Sequence, residues 1–309
     1  MKELSARVRE QVEKVVVGQE QAVERLLVAV VVGGHVLLEG PPGTAKTLLA
    51  NALARALDAE FRRVQFTPDM LPSDLTGTTT LRGGELAFRP GPVFTNVLLA
   101  DEVNRTPPKT QAALLEAMQE RQVSVDGRTQ ALPEPFLVLA TQNPIEYEGT
   151  YPLPEAQLDR FLFKLDLGYL SAEQEVGILR LRHQGVAAPS LDVVEAVVRR
   201  DELEDARRVV EATSVSDEVA GFVVSLVRQT RELPAVELGA SPRAAVHLLA
   251  AARGLACLAG RDYVTPDDIV DVARPVLRHR LVLRPEAELE RYSAADAVEA
   301  ALAAVPVPR

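Results

Sequence analysis

The sequence has no tryptophan, and aromatic residues make up only 4% of its 309 residues. Its hydrophobic cores must therefore be built from valine, leucine and alanine. A stacking platform for single-stranded nucleic acid needs several aromatic faces and is disfavoured. There is one cysteine, Cys257. This excludes a disulfide framework and predicts a reducing compartment, so we expect the protein in the cytoplasm.

Long apolar runs are also missing. The longest covers residues 26–38 and is interrupted by Gly33, Gly34 and His35. Crossing a bilayer takes about 20 apolar residues, so no membrane insertion is expected. The charged start MKELSARVRE lacks the apolar core of a signal peptide. A formal net charge of −10 repels phosphate backbones, so no nucleic-acid partner is expected either.

The first half of the chain alternates short apolar runs with helical patterns. Strands are predicted in HVLLEG, NVLLADE, PFLVLATQN and RFLFKLDLG, and helices in TAKTLLANALARAL and TQAALLEAMQER. This alternation predicts a mostly parallel sheet with helices on both faces. After about residue 170 only helices are predicted, in SAEQEVGILRLR, LDVVEAVVRR, DEVAGFVVSLVRQTREL, SPRAAVHLLAAARGLACLAG and TPDDIVDVARPVLRHR. We therefore predict an α/β core over residues 1–168 and an all-α domain over 169–309.

The segment EGPPGTAKTLLA joins the first predicted strand to a helix. It resembles the phosphate-binding loop G-x-x-x-x-G-K-[ST], except that Ala45 replaces the last glycine. The alternative is a simple glycine-rich turn. Such a loop aims backbone N–H groups at phosphates, while Lys46 neutralises the outer phosphates and Thr47 holds Mg²⁺. The predicted nucleotide contacts are Gly40, Pro41, Pro42, Gly43, Thr44, Ala45, Lys46, Thr47 and Leu48.

Two details of this loop bear on whether it works. Only 5 of the 34 basic residues are lysine, yet one of them is Lys46. The methyl group of Ala45 costs nothing at negative φ and about 1–2 kcal/mol at positive φ, a tolerable penalty against several phosphate contacts. We therefore expect Ala45→Gly to leave nucleotide affinity within a few-fold.

A second motif, NVLLADEVNR, follows about 55 residues after Lys46. Its apolar run delivers Asp101 and Glu102 to the carboxyl end of a buried strand. In phosphate-loop enzymes an Asp here supports Mg²⁺, and the adjacent Glu can act as general base for the attacking water. A solvated acidic pair at a strand end is the alternative.

On these motifs the chain resembles the AAA+ ATPases and, among them, the MoxR family, from VVVGQEQAVERLLVA almost to its end. The resemblance implies a phosphate-loop core followed by a helical lid domain, with ATP/ADP and Mg²⁺ as cofactors. It also implies that Val17, Gly18 and Gln19 contact adenine. A plain connection between helices is the alternative for those three residues.

The resemblance assigns three further residues. Asn143 in ATQNP matches the sensor that orients the attacking water, against a plain asparagine turn. Arg160 in LPEAQLDRF matches the arginine finger, which reaches the γ-phosphate of the neighbouring subunit, against a surface ion pair. Arg243 in GASPRAAVHL matches the second sensor, against an ordinary exposed arginine. Ser241 would cap that helix and Pro242 would be its first residue.

Two insertions resemble those of the helix-2-insert clade. One covers about residues 67–93. The other is a hairpin at about 121–132, predicted from alternation around Asp126-Gly127. Both would line the pore of a ring, and scaffold loops are the alternative.

The resemblance therefore implies a cytoplasmic ring ATPase, a homo-oligomer of hexameric form, that remodels or matures a protein client. In this family the client often carries a von Willebrand factor A domain. Two alternatives stay open: a motor or transcription activator that acts on nucleic acid, and a scaffold that binds ATP but barely hydrolyses it.

Overall fold

The structure, a computed structural model, describes residues 1–82, 85–142, 150–182 and 190–308. The chain forms two compact units. The sheet unit comprises Leu4–Leu153 and Leu165–Arg200, and the helical unit comprises Met1–Glu3, Pro154–Lys164 and Asp201–Arg309. The domain boundary predicted after residue 168 is not tested by this division into units, so it stays a prediction.

Among its described residues the sheet unit contains eight whole strands and five whole helices, and the strand Phe163–Asp166 and the helix Lys2–Glu13 have residues in both units. The strands are β1 (Val36–Glu39), β2 (Phe61–Gln65), β3 (Gly77–Arg82), β4 (Glu85–Pro90), β5 (Val97–Asp101), β6 (Gln122–Val125), β7 (Arg128–Ala131), β8 (Leu137–Gln142) and β9 (Phe163–Asp166). The helices are α1 (Lys2–Glu13), α2 (Glu20–Val32), α3 (Lys46–Ala56), α4 (Pro72–Thr76), α5 (Pro108–Glu120) and α7 (Ala172–Arg182).

Five of these strands form the main sheet in the order β2-β5-β8-β1-β9, and the pairs that join β2, β5, β8 and β1 are parallel. Each of the four strands predicted from apolar runs is present. The inner strands β1, β5 and β8 are almost wholly buried, as expected for parallel strands covered on both faces. Their carboxyl ends, at Glu39, Asp101 and Gln142, meet at one edge of the sheet.

The edge strand β2 was not predicted. Its sequence FRRVQ carries two arginines, and Val64 is its one buried residue. Because an edge strand needs neither a continuous apolar run nor strict alternation, its hydrophobic pattern is too weak to identify β2 from the sequence.

The sheet unit also contains two antiparallel hairpins. β3 pairs with β4, and β6 pairs with β7. Asp126 and Gly127 connect β6 to β7, both with positive φ (50° and 74°), as a two-residue type I′ turn requires. The hairpin predicted there is confirmed.

The helical unit contains α6 (Glu155–Leu158), α8 (Arg200–Ala212), α9 (Asp217–Gln229), α10 (Pro242–Leu258), α11 (Pro266–Leu277), α12 (Pro285–Leu289) and α13 (Ala294–Ala304). It also has a small two-stranded sheet of β10 (Val236–Leu238) and β11 (Val282–Leu283). Ser241 caps α10 by accepting a hydrogen bond from the Ala244 N–H at 3.4 Å, as predicted. Within the described ranges, no helix has the length and apolar character that a bilayer crossing demands.

The helix predicted in LDVVEAVVRR is wrong. Only Leu191–Val193 forms a single 3-10 turn, and no helix follows until Arg200. The N–H groups of Val197 and Val198 both donate to the carbonyl of Ala56, at 2.9 and 3.1 Å. β-Branched valines favour such an extended path, and bonding to the end of α3 satisfies their backbone.

His35 is buried in the sheet unit and makes a specific pair of contacts. Its Nδ1 accepts a hydrogen bond from the Val138 N–H, and its Nε2 donates to the Met118 carbonyl, both at 3.0 Å. Burial lowers the pKa of His35 to about 4. The neutral ring satisfies both contacts, whereas protonation would place a second N–H against that of Val138.

We therefore expect the sheet unit to lose stability as the pH falls from 7.5 to 5. The folded pKa lies below the unfolded one, so this contribution is complete above pH 6.5 and is lost as the pH falls towards 4, by about 2 kcal/mol at pH 5. Urea unfolding at several pH values measures it. His35→Gln should show a shallower dependence, and an equal slope in both proteins would contradict the assignment.

Candidate nucleotide-binding site

The phosphate-loop segment lies between the end of β1 and the start of α3. Gly40 is required there because a Cβ would collide with the carbonyl of Leu167, whose own N–H donates to Glu39 O at 2.8 Å. Gly43 has a φ of +85° with open space around it, so the backbone conformation requires glycine. The loop thus packs tightly on one side and presents an open backbone on the other.

Lys46, the first residue of α3, folds back over this loop. Its Nζ donates to the carbonyl of Gly40 at 2.5 Å and to that of Pro41 at 3.3 Å. Burial lowers the pKa of Lys46, while the carboxylates of Asp101 and Glu102 act in the opposite direction. The ammonium group therefore lies in the field of both acidic residues of the second motif. Thr47 follows in the first turn of α3 and is half-buried.

Ala45 precedes α3 with φ 62° and ψ 21°, in the left-handed region. Of the two cases considered from the sequence, negative or positive φ, the structure has the positive one. The methyl group of Ala45 therefore carries about 1–2 kcal/mol of strain. The N–H of Leu49 donates to the Ala45 carbonyl at 2.8 Å, so the residue still starts the helix.

Ala45→Gly is expected to raise the free energy of unfolding by at most about 1 kcal/mol, because relief of strain is partly offset by the greater freedom of glycine in the unfolded chain. Nucleotide affinity should stay within a few-fold, since the backbone N–H groups keep their directions. Thermal unfolding and nucleotide titration measure the two effects. A loss of affinity beyond tenfold would contradict this view of the loop.

Asp101 ends β5 and both of its carboxylate oxygens have protein donors. Thr141 Oγ1 donates to Oδ1 at 2.5 Å, and Arg63 donates to Oδ2 from Nε at 3.1 Å and from Nη2 at 2.6 Å. Arg63 is half-exposed and lies on the edge strand β2. The carboxylate is thus fixed in direction by β8 on one side and by β2 on the other.

Glu102 follows with φ 58°, a left-handed conformation that is uncommon for glutamate. Its N–H donates to Thr141 Oγ1 at 2.9 Å. Gln65 Nε2 donates to Oε2 at 2.6 Å, and Arg105 Nη1 lies 3.1 Å from the same oxygen. Backbone strain of this kind is concentrated at functional sites.

Gln65, Arg63 and Thr141 were not predicted. Gln65 and Arg63 belong to the edge strand whose pattern is too weak to read. Thr141 lies in ATQN, at the end of the predicted strand PFLVLATQN. Its position at the end of a strand next to β5 was the one sign in the sequence that it could belong to the site.

An apolar cavity of about 200 Å³ adjoins the loop. Its walls are Val15, Val16, Val17, Gln19, Gly43, Thr44, Ala45, Leu48, Gly168, Tyr169, Leu170, Glu175 and Ile178. Two of the three residues predicted to contact adenine, Val17 and Gln19, therefore line it. Gly18 does not, and a Cβ at its φ of +72° would meet the side chain of Gln174. The residues from 168 onwards were missed because nothing in their pattern marks a ligand.

The three remaining predicted residues lie elsewhere. Asn143 is outside the described residues. Arg160 and Arg243 belong to the helical unit, whereas the loop, Asp101 and Glu102 belong to the sheet unit. Arg160 follows α6 and is half-buried, and Arg243 is in the first turn of α10.

The donor set of the sheet unit fits a magnesium nucleotide. The ammonium group of Lys46 and the carboxylates of Asp101 and Glu102 come together at the carboxyl edge of the sheet, beside the open backbone of Gly43 and an apolar cavity. Thr47 supplies a hydroxyl in the first turn of α3. Hydroxyl and carboxylate oxygens are ligands that Mg²⁺ accepts, and it retains several waters of its own. Because both oxygens of Asp101 already have donors, this carboxylate suits contact with those waters.

Known proteins resemble this chain over most of its length. Residues 35–163 match the ATPase family associated with various cellular activities (AAA), and residues 228–301 match the AAA lid domain. The chain is 47% identical over 301 residues to YeaC, an uncharacterized protein of Bacillus subtilis, covering 97% of this chain and 93% of that protein. It is 46% identical to the chaperone MoxR1 of Mycobacterium tuberculosis, covering 97% of this chain and 81% of MoxR1.

The fold is also shared with a solved structure. The crystal structure of a candidate ATPase from Cytophaga hutchinsonii superposes with a TM-score of 0.90 at 43% identity, covering 99% of this chain and 98% of that one. Protein MoxR of Methylorubrum extorquens is 34% identical over 99% of this chain and 96% of its own length. Similarity of this extent covers the nucleotide site and the helical unit together. The chain belongs to the MoxR family of AAA+ ATPases.

Proposed function

We propose that this protein hydrolyses ATP at the loop between β1 and α3, as one subunit of a homo-oligomeric ring, and uses the energy to remodel a protein client. The observation that carries the proposal is the convergence of Lys46, Asp101 and Glu102 at one sheet edge. Membership of the AAA family supports nucleotide binding there. The single cysteine and the need for ATP support a cytoplasmic location, which is part of the proposal.

Each residue of the site then has a distinct task. Lys46 binds the outer phosphate oxygens, and the loop backbone binds the others. Thr47 would bind Mg²⁺ and Asp101 would hold the waters of that ion, which neutralises phosphate charge when bound. Glu102 accepts the proton of the attacking water. Its carboxylate is held by Gln65 and Arg105, so one of its two oxygens already has donors while the other can face the water.

Completion of the site would come from the neighbouring subunit. In this proposal Arg160 of one subunit reaches the γ-phosphate held by the next, Arg243 acts as second sensor, and Asn143 orients the water. A cation supplied in trans makes hydrolysis depend on assembly. We propose a hexameric ring, as the resemblance implies.

The direct test is phosphate release from ATP with Mg²⁺ over a range of protein concentrations. Turnover per subunit should rise with concentration and level off as rings form, which sedimentation would follow in parallel. Isolated protomers that turn over as fast as assembled ones would contradict the proposal.

The β3–β4 hairpin is the part of the protein that we propose contacts the client. Leu81 and Leu86 are paired across it, and their exposed fractions are 70% and 71%. Two large apolar side chains that are this exposed are costly to leave in water, and they suit transient contact with a protein client. A relative of 46% identity is named as a chaperone. A protein with a von Willebrand factor A domain is the client that we propose.

Replacing both Leu81 and Leu86 by serine is expected to abolish stimulation of ATP hydrolysis by a von Willebrand factor A domain protein, and to leave basal hydrolysis within twofold. The hairpin carries none of the nucleotide-site residues, so only the client contact should be lost. Leu289→Ser, at an exposed leucine of the helical unit (85% exposed), is the matched control. Unchanged stimulation in the double variant would exclude the hairpin as the contact.

A further inference from the structure

Three consecutive residues of the helical unit bind the segment that carries Arg160. Arg278 Nη2 donates to the Lys164 carbonyl at 2.9 Å, and His279 Nε2 lies 3.0 Å from the Phe161 carbonyl. Arg280 Nη2 donates to the same carbonyl of Phe161 at 2.6 Å. All three side chains of the turn Arg278–Arg280 therefore contact the backbone of residues 159–164.

Arg280 makes the most complete set of these contacts. Its Nε donates to Asp159 Oδ1 at 2.9 Å and its Nη2 to the Asp159 carbonyl at 3.2 Å, and its side chain is only 1% exposed. Burial lowers the pKa of Arg280 to about 10, and the Asp159 carboxylate opposes that shift. Arg280 is therefore charged at neutral pH, and it holds the main chain on both sides of Arg160.

The Asp159 carboxylate also contacts the start of α10. Ser241 Oγ, the cap of that helix, lies 3.0 and 2.9 Å from its two oxygens. Arg243 Nη1 lies 3.9 Å from Oδ2. One carboxylate thus joins three parts of the helical unit: the Arg160 segment, the start of α10 with Arg243, and the Arg278–Arg280 turn.

These contacts differ from those of an ordinary internal ion pair. Asp159 directly precedes Arg160, and the carbonyls that receive Arg280 belong to residues on either side of it. Contact density also groups Pro154–Lys164, including the first two residues of β9, with the helical unit. Arg160 itself forms no side-chain hydrogen bond or ion pair within the described residues, so its guanidinium is available to a partner.

We propose that Asp159 and the Arg278–Arg280 turn are positioning residues that attach Arg160 to the helical unit of its own subunit. The arginine offered to the neighbouring site then moves together with α10 and Arg243. A change at Arg243 when a subunit binds nucleotide is thereby passed to the next site. This inference rests on the proposed role of Arg160 in trans.

Mixed rings test the proposal. One variant, the site parent, carries Arg160→Ala and contributes an intact Glu102 but no arginine finger. The other variant, the finger parent, carries Glu102→Gln and contributes an intact Arg160 but no working active site. Asp159→Asn is then added to one parent or to the other. Misplacing a catalytic group by about 1 Å can cost about 100-fold. We expect phosphate release to fall about 10- to 100-fold, with KM unchanged, when the change is in the finger parent.

In the site parent Asp159→Asn should lower phosphate release by less than about threefold, because the contact between Asp159 and Arg243 is long and partly exposed. Equal losses in both placements would mean general damage and would overturn the proposal. Asp268→Asn is the matched control: Asp268, itself buried, forms a two-bond pair with the half-buried Arg261 in the same unit, at 2.7 and 2.6 Å. It should show no difference between the placements.

A second variant and a second measurement keep the test independent of hydrolysis. Arg280→Lys keeps the charge but loses the fork that holds Asp159 and Phe161 together. Both Asp159→Asn and Arg280→Lys should speed amide hydrogen exchange in residues 159–164 of the full-length protein without nucleotide, and Asp268→Asn should not. Unchanged exchange there would overturn the attachment. If the wild-type protein releases no phosphate, the proposed function fails while exchange still decides the attachment.

Discussion

Replacing Glu102 by glutamine is expected to lower ATP hydrolysis by about 10²–10⁴-fold, the contribution of a well-placed general base. The amide has the same shape as the carboxylate but cannot accept a proton from water. Its oxygen can still accept the hydrogen bond from Gln65, which spans 2.6 Å in the wild type. The strained backbone at φ 58° costs glutamine no more than glutamate, so the fold should be unaffected.

ATP binding by Glu102→Gln should not be weakened. Lys46 and the loop are unchanged, and the loss of one negative charge near the phosphates reduces repulsion. The variant should therefore bind ATP at least as tightly as wild type and hold it unhydrolysed. Phosphate release and equilibrium titration with labelled ATP separate the two effects.

Glu60→Gln is a suitable control for this measurement. It also removes one negative charge from the sheet unit, but its partner is the exposed Arg62 at 2.7 Å, away from the carboxyl edge. Its hydrolysis should equal that of wild type. An equally negligible rate in wild type and Glu102→Gln would instead favour the alternative of a scaffold that binds ATP without hydrolysing it.

The parts of the site that sequence predicts well share a local cause. The phosphate loop, Asp101 and Glu102 each follow a short apolar run, and a buried parallel strand places the residues after it at a defined edge. The motif does not reveal the sign of φ at Ala45, because alanine tolerates either conformation at modest cost. In the structure φ at Ala45 is +62°.

Other parts depend on contacts between distant residues. Arg280 and Asp159 are 121 positions apart, and no periodicity in either segment indicates their contact. The wrong helix at residues 191–200 has a similar origin. Its apolar spacing suits a helix, but hydrogen bonds to Ala56 hold the chain extended. Local preference is overridden where a distant backbone group satisfies the segment.

Arg160→Ala should have the largest effect outside the sheet unit. Supplying such a cation in trans is worth about 10³–10⁵ in turnover in related phosphate-transfer enzymes. We expect a loss in that range, with ATP affinity almost unchanged because the nucleotide loop belongs to the other unit. Arg160 is half-buried, and its side chain forms no hydrogen bond or ion pair in the described part of the protein, so its truncation should leave no buried charge unpaired.

Complementation makes this prediction specific to an arginine in trans. Arg160→Ala and Glu102→Gln should each be almost inactive alone, and an equal mixture should recover activity. A working site needs an intact Glu102 in one subunit and an intact Arg160 in the neighbour that faces it. Random assembly in a ring of head-to-tail contacts provides this at about a quarter of the interfaces. The mixture should therefore reach about a quarter of wild-type turnover per subunit.

Arg228→Ala, at an exposed arginine of α9, is the control and should remain as active as wild type. Two results would contradict the assignment. If Arg160→Ala alone keeps most of its activity, another cation completes the site. If the mixture stays inactive although sedimentation shows mixed rings, Arg160 acts within its own subunit. Recovery near the expected quarter would instead require that each active site be shared by two subunits.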